Sequence, residues 1–318
     1  MQIPAVLREL VTFVRTTTAD GKQWVGTGFF VNEEVVDGLW AGYIVTCGHC
    51  IAPLEAETPV TSISLRLNLR SGGSAEIETE VANWERHPSS DVAMYALMPD
   101  QSIFDYKHFP ARPGASKEFR DEKRIDSGDD IFMTGRLIYH PGATRMLPIV
   151  RVGSIAAFPE DPVRLATGEE NVILIETRSL GGLSGSPVFV HFGDWRRDEN
   201  GNLGVLPNPE PGSQWDGGPN YLLGVMHGFY PTKGNDPDGI GDATKEPLNT
   251  GIGVVIPVER IHDLIETPRF KEQREMAKKQ EADNVMPIPT SGSATAGQDK
   301  TADLMSKLLQ VPKDEPED

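Results

Sequence analysis

The stretch GYIVTCGHC, residues 42–50, has two readings that lead to different folds. Read as Cys47-x-x-Cys50 it is a dithiol. Dithiol redox chemistry belongs at a helix start after a strand, in a βαβ unit where the helix dipole lowers a thiol pKa. Read as Tyr43-Ile44-Val45-Thr46 it is a buried strand that delivers His49 at its end, with both thiols as packing. The surroundings favour the strand. No helical period follows, because Ile51-Ala52-Pro53 runs into a turn-rich stretch.

Working outward, the same β character repeats. LVTFVRTTT (10–18), GTGFFV (26–31), SISLRLNL (62–69), AEIETEVANWE (75–85) and DVAMYALM (91–98) are alternating or β-branched, with Gly, Asn, Asp or Pro between them. Residues 107–128 are polar and read as a connection. A second series follows: DIFMTGRL (130–137), MLPIVRVGSIAAF (146–158), NVILIETR (171–178), SPVFVHF (186–192), YLLGVMHGF (221–229) and GIGVVIPV (251–258). ERIHDLIE (259–266) reads as a short closing helix that ends before Pro268. The 32 Gly and 25 Pro suit many short strands joined by turns. The pattern predicts an all-β chain with domains at 1–115 and 116–267. A helical or disordered tail is expected at 268–318, where Lys, Glu, Ala, Gln, Ser and Thr take over. A chain ended near Thr267 is expected to keep its fold.

Bulk properties narrow the function. A net charge of −17, without a basic stripe carrying aromatics, argues against a nucleic-acid partner. No apolar run is long enough to span a bilayer, so no membrane partner is expected. The first residues lack a basic start, an apolar stretch and a cleavage site, and two cysteines make no disulfide framework. The expected location is therefore the cytoplasm. The histidines have no zinc spacing. DENGN (198–202) and NDPDGIGD (235–242) hold carboxylates but no full calcium ladder. Neither a cofactor nor a required metal is expected. The amphipathic LMSKLLQVP (304–312) is a candidate site for a partner or regulator.

Three segments carry chemistry. GYIVTCGHC ends in His49, HPSSDVAMYAL places Asp91 at the mouth of a strand, and SLGGLSGSPVFV sets Ser184 in a glycine turn before Val188-Phe189-Val190. A serine hydroxyl is a weak nucleophile and needs a base within hydrogen-bond reach. That base needs a buried carboxylate to hold its tautomer. The oxyanion formed by attack needs fixed donors, which the backbone N–H groups of Gly182 and Ser184 can supply. The alternatives are an inactive binding module, a G-x-S-x-G hydrolase elbow using His227 or His262, and the Cys47/Cys50 oxidoreductase. The elbow lacks βαβ alternation around it.

His49, Asp91 and Ser184 stand in the order found in chymotrypsin-like, two-barrel serine proteases, and the chain resembles that family over roughly residues 8–266. Thr46-Cys47-Gly48-His49-Cys50, Asp91-Val92-Ala93 and Gly182-Leu183-Ser184-Gly185-Ser186-Pro187 are similar to its three motifs. The bacterial trypsin-like branch looks closest, and GSPV is similar to glutamyl endopeptidases. The resemblance implies two antiparallel six-stranded β-barrels, to which the pattern adds a short C-terminal helix and the composition a flexible tail. It also implies a serine endopeptidase acting on protein or peptide substrates through a Ser-His-Asp triad and an acyl-enzyme. The implied substrate pocket is walled by Arg178, Ser179 and Leu180, by Met226, His227 and Gly228, and by Gly251 to Gly253. No acidic pocket residue precedes the nucleophile turn, so preference for Lys or Arg is not expected. No IVGG-like start implies activation by a new N-terminus, and Cys50 lacks the family's upstream disulfide partner.

Overall fold

A computed structural model describes residues 3–36, 38–112, 114–137, 140–177, 182–191, 195–197, 203–205, 220–232 and 248–284. The N-terminal half is one antiparallel sheet built from β1 (Val11–Thr18), β2 (Gln23–Val36), β3 (Leu39–Cys47), β4 (Val60–Asn68), β5 (Ser74–Thr79), β6 (Glu85–Arg86) and β7 (Val92–Ala96). Its strands run in the order β5-β4-β1-β2-β3-β7-β6, and β8 (Phe109–Pro110) joins β2 in parallel. The polar connection expected at 107–128 contains a helix, α2 (Lys117–Lys123), after the single turn α1 (Gly48–Ile51). Ser116 caps α2, accepting from the Phe119 N–H.

The C-terminal half is a closed six-stranded barrel. Its chain order begins with β9 (Asp130–Gly135) and β10 (Ile149–Ala157). A small hairpin, β11 (Val163–Leu165) with β12 (Gly168–Glu170), then interrupts it. The barrel resumes with β13 (Ile173–Glu176) and β14 (Pro187–His191). A second hairpin, β15 (Trp195–Arg197) with β16 (Leu203–Val205), precedes β17 (Asn220–Thr232) and β18 (Leu248–Pro257). The barrel closes in the order β10-β13-β18-β17-β14-β9. This is the chymotrypsin-like all-β architecture, with the first half an open sheet path and the second a closed barrel.

Alternation along each strand sends one face inward, and the halves build separate cores. Phe30, Ile44, Leu65, Trp84 and Tyr106 fill the first, and Ile131, Met133, Ile175, Val188 and Val255 the second. A third cluster runs between the halves, joining Phe29, Val31 and Val45 to Phe132, Phe189, Leu222 and Ile256. The residues of the candidate site meet at this seam.

The chain closes with α3 (Glu259–Ile265), whose Ile261, Leu264 and Ile265 form a buried stripe at helical spacing. A longer helix, α4 (Pro268–Asn284), follows. Phe270 on α4 is fully buried and packs edge-on against Tyr43 at 5.2 Å, while Arg274 reaches the Tyr43 hydroxyl and the Ile265 carbonyl. The expectation that a chain ended at Thr267 keeps its fold is therefore corrected. Composition alone hid one aromatic anchor in a polar helix. Phe270→Ala is expected to cost about 3–5 kcal/mol of stability, as buried Phe truncations do. A denaturant titration checks this, and an unchanged midpoint would mean that α4 merely lies on the surface. Among the described residues no helix is long and apolar enough to cross a membrane.

Candidate active site

Strand register brings His49 and Asp91 together. In the β3–β7 pair Thr46 faces Ala93 and Cys47 faces Val92, so the residues beyond each strand end meet. The Gly48 N–H donates to the Asp91 carbonyl at 3.1 Å, and the His49 N–H donates to Asp91 Oδ1 at 2.8 Å. His49 Nδ1 lies 2.6 Å from Asp91 Oδ2. The approach is close enough to demand glycine at 48, because a Cβ there would lie 2.9 Å from Asp91 Oδ1. From behind, the buried Glu170 on β12 accepts the Asp91 N–H at 3.1 Å.

Ser184 comes from the barrel. It sits half-buried between Gly182 and Gly185, whose φ values of 87° and 83° lie in the left-handed region that glycine tolerates. The turn is bonded across the seam. Its Ser184 carbonyl accepts the Thr27 N–H at 2.8 Å, and the Gly182 carbonyl accepts the Thr27 hydroxyl at 2.8 Å. The Ser184 carbonyl also lies 3.6 Å from the Sγ of Cys50, next to His49 in sequence. A Cβ at residue 185 would collide with the Thr27 carbonyl, so the seam fits only glycine there. Ser186 is fully buried, and its hydroxyl has no hydrogen-bond partner among the described residues.

The trypsin-like peptidase domain matches residues 26–195, more than half of the chain, and spans all three of these residues. The chain belongs to the trypsin-like peptidase family. Among solved structures it is similar to the MamO protease domain of Magnetospirillum magneticum, at 15% identity over 83% of this chain and 99% of that one, TM-score 0.47. It is also similar to HL collagenase, at 15% identity over 82% and 94% respectively, TM-score 0.42. No curated protein matches it.

Around the carboxylate of this trypsin-like peptidase stands a second imidazole. In the β17–β18 pair Met226 faces Val255 and Gly228 faces Val254, leaving His227 as the extra residue of a bulge. The bulge turns its ring into the seam, where His227 Nδ1 lies 2.6 Å from the same Asp91 Oδ2. The two rings meet edge to face at 5.1 Å. Burial opposes the Asp91 charge, yet the hydrogen bonds from His227 and His49 outweigh it and hold the carboxyl well below its ordinary range. For His49, burial works downward while Cys50 and Asp91 work upward, and the net shift is up.

Cys47 and Cys50 are both free and buried, and the Cys47 thiol donates to the Met226 carbonyl at 3.1 Å. They pack around the histidine. A soluble thiol reagent is expected to leave the native peptidase unmodified and to modify both residues once the chain is unfolded. Mass spectrometry before and after denaturation checks this; rapid modification of the native chain would contradict their burial. Cys47, His49, Asp91 and His227 together offer donor atoms within 4.8 Å of one another, a group that could hold a metal ion.

The remaining pocket residues are divided. Arg178, Ser179 and Leu180 lie outside the described residues. Met226 is fully buried in the barrel core, with its backbone bonded to Gly185 and Ser186. The Gly251 carbonyl accepts the Thr177 N–H at 2.8 Å, which keeps this segment beside the end of β13. The expected calcium-type segments 198–202 and 235–242 also lie outside the described residues. Glu170 escaped sequence reasoning, and His227 entered it only as a pocket residue and as a histidine of the hydrolase-elbow alternative, not as a partner of Asp91. His227 had a signal, a polar residue interrupting the apolar run YLLGVM, but no clue to its partner. Glu170, in a short surface hairpin, had none.

Proposed function

We propose that this trypsin-like peptidase is a serine endopeptidase working through His49, Asp91 and Ser184. The observation that carries the reading is the 2.6 Å contact between His49 Nδ1 and Asp91 Oδ2, set across a hydrogen-bonded seam from the glycine turn of Ser184. With Nδ1–H committed to the carboxylate, Nε2 of neutral His49 is the acceptor for the Ser184 proton. The serine oxygen attacks the scissile carbonyl, and His49 then returns the proton to the leaving amine. Water repeats the cycle on the acyl-enzyme. The Gly185 N–H is already engaged by the Met226 carbonyl at 2.7 Å, so the oxyanion donors in this reading are the N–H groups of Gly182 and Ser184.

A serine-reactive fluorophosphonate is expected to label Ser184 alone. Labelling at Ser186 or none at all would overturn the assignment. For the pocket, a small or apolar side chain is the proposed preference, ahead of the acidic one that positive charge on Arg178 and His227 would favour, since His227 Nδ1 is engaged with Asp91. A peptide-library profile dominated by Lys or Arg would contradict it.

The pH profile follows from the His49 shift. The base works only when neutral, so activity is lost as pH falls through its pKa. Because that pKa is raised, the acid limb of kcat/KM is expected above the ordinary imidazole value of about 6.5. A limb below that value would show that burial outweighs Cys50 and Asp91 together.

A further inference from the structure

The cluster around Asp91 is a set of ligands as well as a catalytic arrangement. We infer that a divalent cation of zinc type binds His49, His227 and Asp91, with Cys47 as fourth ligand, and reversibly blocks the peptidase. The donors are one sulfur, two imidazole nitrogens and one carboxylate oxygen, all within 4.8 Å of one another. That mixture suits zinc and its neighbours, whereas calcium and magnesium require oxygen sets. The side chains of His49 and His227 are 25% and 13% exposed, which leaves both rings open to an ion from solvent, while Cys47 is fully buried.

Zinc–nitrogen bonds near 2.0–2.1 Å put tetrahedral ligands about 3.3 Å apart. The two contacts from Nδ1 to Asp91 Oδ2, each 2.6 Å, must therefore open. Metal bonds replace both hydrogen bonds. In each neutral ring the Nδ1 proton leaves through solvent and another is taken up at Nε2, so the imidazoles release none overall. The Cys47 thiol gives up its proton to solvent as sulfur joins the ion. Blocking follows directly: His49 metallated at Nδ1 carries its proton on Nε2, the atom that must accept one from Ser184. His227 distinguishes this site from a simple triad, because without its bulge the ion would have one imidazole fewer.

The inhibitory part of the inference rests on the serine peptidase reading, and the binding part does not. The test uses the full chain with zinc, magnesium and cobalt salts. Zinc is expected to bind one per chain by calorimetry, to stop peptide hydrolysis and to be reversed by a chelator, with magnesium inert. Cobalt is expected to give the visible absorption of a tetrahedral site, with a sulfur-to-metal band that Cys47→Ser removes. Removing an outer partner of a metal site costs about 10–100-fold in affinity, so loss of a direct ligand in His227→Gln is expected to weaken zinc at least tenfold. Melting curves confirm that the variants are folded. Equal zinc affinity in parent, His227→Gln and Asp91→Asn would overturn the site, as would octahedral cobalt. If the chain hydrolyses no peptide yet binds zinc in this pattern, the site stands and the peptidase reading fails. Hydrolysis insensitive to bound zinc overturns the blocking role.

Discussion

Ser184→Ala is expected to take no phosphonate label and to lose about 10⁶-fold in kcat, the scale found when a triad serine is removed elsewhere. The size follows from division of labour. In the proposed mechanism the hydroxyl forms the covalent intermediate, so without it His49 and Asp91 would have no nucleophile to activate. Positioning and the oxyanion donors alone give a residual rate of about 10³–10⁴ over water. Structure and melting point are expected to stay unchanged, since the turn is held by its backbone, through the Thr27 N–H on the Ser184 carbonyl and the Ser186 N–H on the Leu183 carbonyl. Steady-state hydrolysis of a labelled peptide, with intact mass after phosphonate treatment, decides the matter. Activity within tenfold of the parent would remove Ser184 from the mechanism.

Asp91→Asn is expected to cost about 10⁴-fold in kcat, again on the scale of the same change in a related triad. Here the neighbours make the damage specific. Oδ1 accepts the His49 N–H, and Oδ2 meets the Nδ1 atoms of both His49 and His227. An asparagine has one acceptor for these two positions. With its oxygen kept on the His49 N–H, its amide group faces both rings and drives them to the Nε2–H tautomer. With the amide flipped, two N–H groups confront each other at His49 and the ring loses its seat. Either way the base is wrong. Kinetics against the parent check the loss, and near-normal turnover would reduce Asp91 to a turn residue at the head of β7.

Much of this site was legible in the chain. The strand YIVTC ending in Gly48-His49, the Asp91 before an apolar strand and the Gly182–Pro187 turn each carry local chemistry that reads without coordinates, and their order points to one family. The all-β class followed from period-two alternation, and the closing helix 259–265 from its apolar stripe and the following Pro268. Local propensity also explains what was missed. The helix at 117–123 depends on a Ser116 cap inside a polar stretch, and α4 is held by one phenylalanine in a run of charges.

What the sequence by itself determined is the set of candidate groups and the strands that carry them, because hydrophobic period and turn chemistry act over a few residues. What only the tertiary structure decided is which groups share an oxygen. His227 is far along the chain from Asp91, and its ring reaches the carboxylate only because a one-residue bulge in β17 turns it out of the ladder. Glu170 holds the Asp91 backbone only because a barrel hairpin folds onto the first sheet. No residue pattern encodes those meetings locally. They arise when two cores pack against each other and polar groups buried in the seam find partners across it.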